Sequence, residues 1–290
     1  MELQDARLTI VGLGLMGGSM ALRLQGRVRE LSGVDTDPET AELAAGAGVR
    51  VRDLSSALSA SDVLVLATPV KETLRLLEDF HAAPPRVRLL LDLGSTKRRI
   101  VEAMESLPAN CGAIGGHPLC GKERGGFAAA EAGLFEGSLF VLTPGSRTKP
   151  EALSLAEQLV SQLGASAMQM QPAQHDTLLA AASHLPYLLA AALMGAAETF
   201  GQRDPLFWDL VATGFMSTSR LAASELTMMV DVLTTNRDML LQALARAQAE
   251  LGQLRRLLAD GEEEPLREFL APLQWRRAGL AGRREARHGA

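Results

Sequence analysis

A glycine-rich turn near the N-terminus constrains the fold of this chain more than any other feature of its sequence. The apolar run Leu8–Val11 leads directly into a G-x-G-x-x-G pattern formed by Gly12, Gly14 and Gly17. In such a turn the first glycine bends the chain, the second lets the backbone approach a pyrophosphate, and the third allows close helix–strand packing. The pattern therefore predicts a dinucleotide-binding βαβ unit. Its predicted cofactor contacts are Gly12, Leu13, Gly14, Leu15, Met16 and Gly17.

An acidic residue follows at the distance expected for a nucleotide-binding fold. Asp35 ends the second apolar run and can accept hydrogen bonds from ribose hydroxyls, while it would repel a 2′-phosphate. Residues 36–38 supply no arginine for such a phosphate, so the sequence favours NAD over NADP. Thr68 and Pro69 end a later strand and are expected beside the nicotinamide or ribose. The alternatives are a purely structural glycine turn with Asp35 as a helix cap, and an ordinary strand-ending turn at Thr68.

Short β-branched runs alternate with helical stretches through the first half of the chain, which is typical of a parallel sheet flanked by helices. The predicted strands are Leu8–Val11, Leu31–Asp35, Val63–Ala67, Val87–Asp92 and Leu139–Leu142. After residues 143–150 the pattern changes to long, Ala/Leu-rich helices. We therefore predict an α/β Rossmann domain at residues 1–148, an all-α, dimerising domain at residues 149–275, and a basic tail at residues 276–290 that is solvated and frayed.

The predicted helices of the second half are unusually apolar. The predicted helical blocks are Glu151–Leu163, Ala173–Phe200, Pro205–Ala223 and Glu225–Leu258. Residues 178–197 are apolar almost all round, and such a helix must be buried on every side. A half-chain of this size offers little interior, so we expect these helices to pack against a second subunit in a homodimer.

Composition and charge exclude several classes of protein. The net charge of −5 argues against nucleic-acid binding, which needs a basic surface. Cys111 and Cys120 cannot form a disulfide framework, no signal peptide is evident, and no apolar run is long enough to span a bilayer. His and Cys spacings suit no metal site. The chain is therefore predicted to be cytoplasmic, with no nucleic acid, membrane or metal as a partner.

Polar residues at two later strand ends are the candidate catalytic groups. His117 lies in a glycine-rich segment, and a neutral histidine can accept a proton near pH 7. Ser95 could orient this imidazole or donate to a bound hydroxyl. Arg220 lies in an apolar helical region and needs an anion, which a substrate carboxylate would supply. The alternatives are a histidine satisfied within a turn and an intersubunit ion pair of Arg220.

Taken in order from about residue 8 to residue 240, several motifs resemble the prephenate dehydrogenase family, which includes arogenate dehydrogenases and makes tyrosine precursors. The matching segments are residues 12–17, 94–97, 116–121, 134–137, 141–144, 175–176 and 183–186. The resemblance implies NAD-dependent oxidative decarboxylation of prephenate to 4-hydroxyphenylpyruvate. It assigns His117 to the ring hydroxyl and its proton, Ser95 to the support of that hydroxyl, and Arg220 to a carboxylate.

The resemblance also suggests further residues for the substrate pocket. His184, Tyr187 and Glu123 are predicted to bind substrate, although His184 could be a buried structural donor and Glu123 could pair with Arg220 or gate the pocket. Tyr187 stands where many family members have a second histidine. The pair at residues 175–176 is interpreted as structural, at the start of a helix.

Three other functions are compatible with parts of the sequence. The first is oxidation of arogenate, which differs from prephenate by an amino group in place of a keto group. The second is a hydroxy-acid dehydrogenase that uses a helical-domain lysine, but no lysine follows Lys149. The third is a non-catalytic NAD-binding dimer, which would have no reason to keep His117 and Arg220 together.

Overall fold

The computed structural model describes residues 1–108 and 111–288. Residues Met1–Leu240 fold into one unit and the residues from Leu241 onward into a second. The first unit contains one eight-stranded sheet. Its strands are β1 (Arg7–Val11), β2 (Glu30–Val34), β3 (Arg50–Val51), β4 (Val63–Leu66), β5 (Leu89–Asp92), β6 (Ala113–Pro118), β7 (Leu139–Pro144) and β8 (Ser166–Gln169).

The strand order β3-β2-β1-β4-β5-β6-β7-β8 is that of a doubly wound nucleotide-binding sheet with two added strands. All neighbouring strands are parallel except β7, which is antiparallel to β6. The direction of strand order reverses between β1 and β4, and a ligand crevice forms at the carboxyl ends of strands at such a point. Gly12, Thr68 and Ser95 follow the carboxyl ends of β1, β4 and β5. The predicted Rossmann fold is confirmed.

Helices cover both faces of the sheet. They are α1 (Leu15–Leu24), α2 (Pro38–Gly46), α3 (Leu54–Ala60), α4 (Val70–Ala82), α5 (Arg98–Glu105) and α6 (Pro150–Gln162). One core cluster includes residues of α1 and α6, and the other includes residues of α4 and α5. Strands β4 and β5 are fully buried because both of their faces are covered, which explains their continuous apolar sequence.

The sheet extends beyond the boundary predicted at residue 148. Helix α6 packs on it, and β8 pairs with β7 from Ser166 to Gln169. The sequence did not predict β8 because this outermost strand is mostly exposed and carries polar residues. Strand β3 was also missed, since it has only two residues. The sequence indicated a strand end at His117 but not the bounds of β6, which is rich in glycine.

The helical part of the first unit begins with a continuous helix from Pro172 to Arg203. It comprises α7 (Pro172–Leu179), a π-helical turn (Ala180–His184) and α8 (Leu185–Arg203). The Leu185 N–H donates to the Ala180 carbonyl, five residues earlier. The wide turn lies where Pro186 removes a backbone donor and would crowd the preceding turn of a regular helix. By length and composition alone, this helix could cross a bilayer, so the prediction that no apolar run is long enough to do so is wrong. In the described chain 28% of its most apolar window is buried.

The remaining predicted helical blocks are interrupted. Residues 205–223 form α9 (Thr213–Ser219) between two 3-10 turns, and residues 225–258 divide at Asn236 into α10 (Leu226–Thr235) and α11 (Arg237–Asp260). Helix α12 (Glu263–His288) includes most of the predicted basic tail, with residues 289–290 outside the described residues. The described part of the tail is helical, as its Ala, Leu, Glu and Arg residues favour, and its solvation and fraying stay a prediction.

Candidate active site

The glycine turn between β1 and α1 has the shape that a pyrophosphate requires. Gly12 has a positive φ of 91°, and a Cβ atom there would lie 2.7 Å from the Ala67 carbonyl oxygen. A Cβ atom on Gly17 would lie 1.8 Å from the Gly12 carbonyl oxygen, so the turn itself requires both glycines. A Cβ atom on Gly14 would have no described neighbour within 4 Å. Gly14 is the N-cap of α1, so the first amides of this helix, including those of Leu15 and Met16, follow it directly, and phosphate oxygens can accept hydrogen bonds at such a helix start.

Asp35 organises this turn from the end of β2. Its Oδ2 accepts the Leu13 N–H at 2.7 Å, and its Oδ1 accepts the Asp37 N–H at 2.9 Å. Each oxygen retains a further lone-pair direction, so the half-buried carboxylate can also accept hydrogen bonds from a ribose. The Leu13 amide is used within the protein and its side chain is buried, so this residue shapes the turn from inside.

Thr68 and Pro69 lie beside the glycine turn. The Thr68 methyl group would be 3.1 Å from a Cβ atom on Gly12, and the Thr68 hydroxyl is 2.8 Å from that of Thr73. Pro69 is exposed and immediately precedes α4. The structure therefore brings together the residues predicted to contact the cofactor, at the carboxyl ends of β1, β2 and β4.

A buried ion pair joins the carboxyl ends of β5 and β6. The Asp92 carboxylate contacts the Lys97 amine and accepts the Gly94 N–H at 2.8 Å and the Gly116 N–H at 3.1 Å. The Lys97 amine also donates to the Gly116 carbonyl at 2.7 Å. Burial lowers the pKa of Lys97, and the neighbouring Asp92 carboxylate opposes that shift. Both backbone polar groups of Gly116 are thus held, which fixes the chain immediately before His117.

His117 is the last histidine of a chain of hydrogen bonds that begins at a buried carboxylate. The His117 Nδ1 lies 2.9 Å from the Nε2 of His175, and the His175 Nδ1 lies 2.8 Å from the Oδ1 of Asp176. Asp176 also accepts the backbone N–H of Lys97 at 2.7 Å and that of Arg98 at 2.9 Å. His175 and Asp176 are fully buried, whereas the His117 side chain is half-buried at the end of β6.

The charges of these groups follow from their surroundings. Burial, together with the nearby His175, Lys97 and His184, lowers the pKa of His117 well below its usual value. Burial opposes ionisation of Asp176, but hydrogen bonds from His175 and two backbone amides hold its pKa below the usual range. A neutral imidazole at pH 7 can accept a proton, so this arrangement suits His117 to general-base chemistry.

His184 is buried in the π-helical turn. Its Nδ1 lies 3.3 Å from the Nδ2 of Asn236, which also donates to the Asp176 carbonyl at 2.8 Å. Burial lowers the pKa of His184 to about 4. These contacts fit the structural alternative for His184, and its predicted contact with substrate stays a prediction.

The other predicted substrate residues are more accessible. Arg220 and Glu123 form an ion pair at 3.1 Å, with 58% and 75% of their side chains exposed, as one of the sequence-based alternatives for Glu123 anticipated. Tyr187 is half-buried in α8, and Ser95 is half-buried in the loop after β5. Their roles toward substrate stay predictions.

Two family models together match most of the chain. Residues 19–169 match the nucleotide-binding domain of prephenate dehydrogenase, and residues 171–272 match the dimerization domain of prephenate dehydrogenase. A prephenate dehydrogenase of Bacillus subtilis is 32% identical over 278 residues, which cover 93% of this chain and 75% of the relative. This chain belongs to the prephenate dehydrogenase family.

Solved structures agree with this membership. The prephenate dehydrogenase of Aquifex aeolicus, in complex with hydroxyphenyl propionate and NAD+, matches with a TM-score of 0.89 and 25% identity, covering 97% of this chain and 100% of that one. The arogenate dehydrogenase of Synechocystis matches with a TM-score of 0.80 and 31% identity, covering 94% and 99%. The family resemblance inferred from the motifs, and the NAD-binding N-terminal domain, are confirmed.

The most buried polar groups of this family member were not predicted from the sequence to support the candidate base. The pair His175 and Asp176 was interpreted as structural, and Asp92 and Lys97 were given no role. A signal was present, because Asp92 ends an entirely apolar strand and a carboxylate there needs a buried partner. The partner of His175 could not be inferred, because 58 residues separate it from His117 along the chain.

Proposed function

We propose that this chain catalyses the NAD-dependent oxidative decarboxylation of prephenate to 4-hydroxyphenylpyruvate, with release of CO2 and formation of NADH. The observation that carries the proposal is the half-buried imidazole of His117, held through its Nδ1 at the carboxyl end of β6 and beside the crevice that β1, β4 and β5 form. Family membership supplies the substrate class, and the imidazole supplies the group that the reaction needs.

NAD bound at the glycine turn would supply the acceptor for the hydride of the ring carbon that carries the hydroxyl. His117 takes the hydroxyl proton, so that a carbon–oxygen double bond can form as the carbon loses its hydride. Loss of the ring carboxylate as CO2 returns electrons to that oxygen and makes the ring aromatic, which drives the reaction. The overall equation neither releases nor consumes a proton, so the proton held by His117 returns to the phenol oxygen.

The remaining assignments concern positioning of substrate. Arg220 would bind a substrate carboxylate in exchange for its exposed pairing with Glu123, and Ser95 would support the ring hydroxyl. Tyr187 and His184 would line the pocket from the helical part of the first unit. These groups have little chemistry to perform, because alignment of the reacting atoms accounts for much of the rate.

Oxidation of arogenate is the second candidate. It is favoured by the 31% identity to the Synechocystis arogenate dehydrogenase. The two substrates differ at the side-chain end, where Tyr187 replaces the histidine that many family members have.

We further propose a cytoplasmic homodimer with no nucleic-acid or membrane partner. The match of residues 171–272 to a dimerization domain supports the dimer. We also propose to move the domain boundary from residue 148 to about residue 170, because β8 completes the sheet and α7 begins at Pro172.

The decisive experiment is a spectrophotometric assay of NADH formation with each combination of prephenate or arogenate and NAD or NADP. We expect turnover with NAD and one or both substrates. His117→Asn should lower kcat by roughly 10²–10⁴-fold while leaving NAD binding intact, since only the proton acceptor is removed. A wild-type protein that binds NAD but oxidises neither substrate would contradict the proposed function.

A further inference from the structure

The connection between His117 and Asp176 specifies where the hydrogens of both imidazoles lie. A carboxylate can only accept, so the His175 Nδ1 must carry the hydrogen that bonds to the Asp176 Oδ1. A neutral His175 then has an unprotonated Nε2, which accepts from the His117 Nδ1. The Nε2 of a neutral His117 is therefore left unprotonated, as the base of the proposed reaction requires.

Three donors keep the carboxylate at the start of this chain in its ionised form. The Asp176 side chain accepts from His175 and from the backbone amides of Lys97 and Arg98. Those amides belong to the start of α5, whose dipole also favours a negative charge at this position. Protonation of Asp176 would disrupt these contacts, so its carboxylate stays ionised and remains the hydrogen-bond acceptor of His175.

We propose that His175 and Asp176 are positioning residues that hold His117 as its Nδ1–H tautomer and stabilise the imidazolium formed when its Nε2 takes the substrate proton. In that step the substrate O–H bond breaks and an Nε2–H bond forms, while the His117 Nδ1–H remains bonded to His175. The carboxylate compensates for the new positive charge through the intervening ring. The logic is that of a hydrolase triad, with a second imidazole inserted between base and carboxylate.

The other ionisable groups around His117 supply no free negative charge for an imidazolium. The Lys97 amine holds the backbone of Gly116 next to it, and it is paired with Asp92. His184, with a pKa of about 4, is neutral at pH 7. Of the carboxylates described here, Asp92 is engaged by Lys97, and Asp176 is the one linked to the His117 ring by hydrogen bonds.

The first test measures the tautomer directly. The sequence has five histidines, so ¹⁵N-histidine labelling gives a tractable long-range ¹H–¹⁵N spectrum, and His117→Asn assigns the signal of interest. At pH 7.5 the wild-type protein should show His117 protonated at Nδ1 and unprotonated at Nε2. In His175→Leu this preference should be lost. An Nε2–H tautomer in the wild-type protein would overturn the proposal.

The second test measures turnover and rests on the proposed function. His175→Leu should lower kcat with prephenate by at least about 10-fold, with the KM for prephenate and the Kd for NAD unchanged. His175→Gln should restore part of the loss, because its amide oxygen can accept from the His117 Nδ1. His81→Leu is the matched control, since the His81 ring lies on α4 and contacts the Leu77 carbonyl.

The two tests separate the possible failures. A wild-type protein that is inactive on prephenate and arogenate would reject the proposed function, while the spectrum would still decide the tautomer. Unchanged kcat in a folded His175→Leu variant would overturn the positioning role. If that variant does not fold, the wild-type spectrum and the kcat of His175→Gln decide: the proposal requires an Nδ1–H tautomer and a kcat below that of wild type.

Discussion

At the scale of single residues, the site is built from ionisable groups that would be costly to bury alone. Asp92, Lys97, His175 and Asp176 are fully buried, and each has at least one charged or hydrogen-bonded partner. Removing one partner from such a pair leaves the other buried without an opposite charge or a hydrogen bond, which is strongly destabilising. These side chains therefore fix the backbone around His117 as well as its charge.

The exposed Arg220 should contribute to substrate binding rather than to chemistry. Arg220→Ala should raise the KM for prephenate by roughly 10- to 100-fold, as expected from a charge-assisted hydrogen bond of about 1.5–3 kcal/mol, with a much smaller change in kcat. Steady-state kinetics would measure both constants. Arg203→Ala, another exposed arginine of the helical part, is the control and should leave KM unchanged. An unchanged KM in Arg220→Ala would place this residue outside the pocket.

His184 should make the stability of the protein sensitive to acid. Its folded-state pKa of about 4 lies below the unfolded value of about 6.5, so the unfolded chain binds more protons between these limits. Above about pH 6.5 His184 is neutral in both states and does not change the free energy of unfolding with pH. As pH falls from about 6.5 toward 4, the free energy of unfolding declines by up to about 1.4 kcal/mol per pH unit.

Urea unfolding at pH 7.5 and pH 5 measures this effect. His184→Gln cannot titrate, so its loss of stability between the two pH values should be smaller than that of wild type. His81→Gln, which replaces a histidine on the exposed side of α4, should behave as wild type does. An equal loss in His184→Gln and wild type would show that His184 is not buried in its neutral form.

At the scale of elements, two carboxylates from the helical part fix the starts of two sheet-covering helices. Asp176 of α7 accepts the first amides of α5, and Asp231 of α10 accepts the Lys71 N–H of α4 at 3.1 Å. Both helices follow strands whose carboxyl ends form the crevice, so the cofactor side and the helical side of the first unit are joined where the reaction would take place.

The glycine turn allows cofactor binding to be separated from folding. Gly17→Ala would place a Cβ atom 1.8 Å from the Gly12 carbonyl oxygen, so we expect a loss of about 2–3 kcal/mol or more in the free energy of unfolding. Gly14→Ala meets open space and should change stability by less than about 0.5 kcal/mol.

The same Gly14→Ala methyl group would occupy the approach of the pyrophosphate, so the Kd for NAD should rise at least about 10-fold. Calorimetric titration with NAD and urea unfolding measure the two quantities. Tight NAD binding by Gly14→Ala would show that the pyrophosphate does not approach the start of α1 at this glycine.

At the scale of the whole molecule, the helical part of the first unit leaves many apolar side chains exposed. These include Leu178, Leu189, Phe200, Leu206, Leu210, Met216 and Leu226. So many exposed apolar side chains in one part of a protein are typical of an interface. The match to a dimerization domain supports a second copy of this chain as its partner.

Light scattering coupled to gel filtration should therefore give twice the chain mass of 30.9 kDa. Leu189→Arg places a charge on the long apolar helix and should shift the mass toward that of the monomer. Leu43→Arg is a matched control on α2, since Leu43 and Leu189 are 45% and 40% exposed. A wild-type protein that elutes as a monomer would refute the dimer.

Much of the nucleotide-binding half could be predicted because its signals are local. The glycine turn, Asp35 and the apolar strands each depend on neighbours within a few residues, and all of them lie where the sequence indicated. The bounds of β6 and the whole of β8 escaped prediction because β6 is glycine-rich and β8 is an exposed edge, so neither has the periodicity of a buried strand.

The sequence by itself determined the nucleotide-binding turn, the alternation of strands and helices in the first half, and His117 as the candidate base. Only the tertiary structure decided which group supports that base. The His117 ring meets His175 and not a residue near it in sequence, and the carboxylate behind His175 is held by amides of a third segment. Long-range partners of this kind leave no periodic pattern, since their contact depends on how the helical part packs against the sheet.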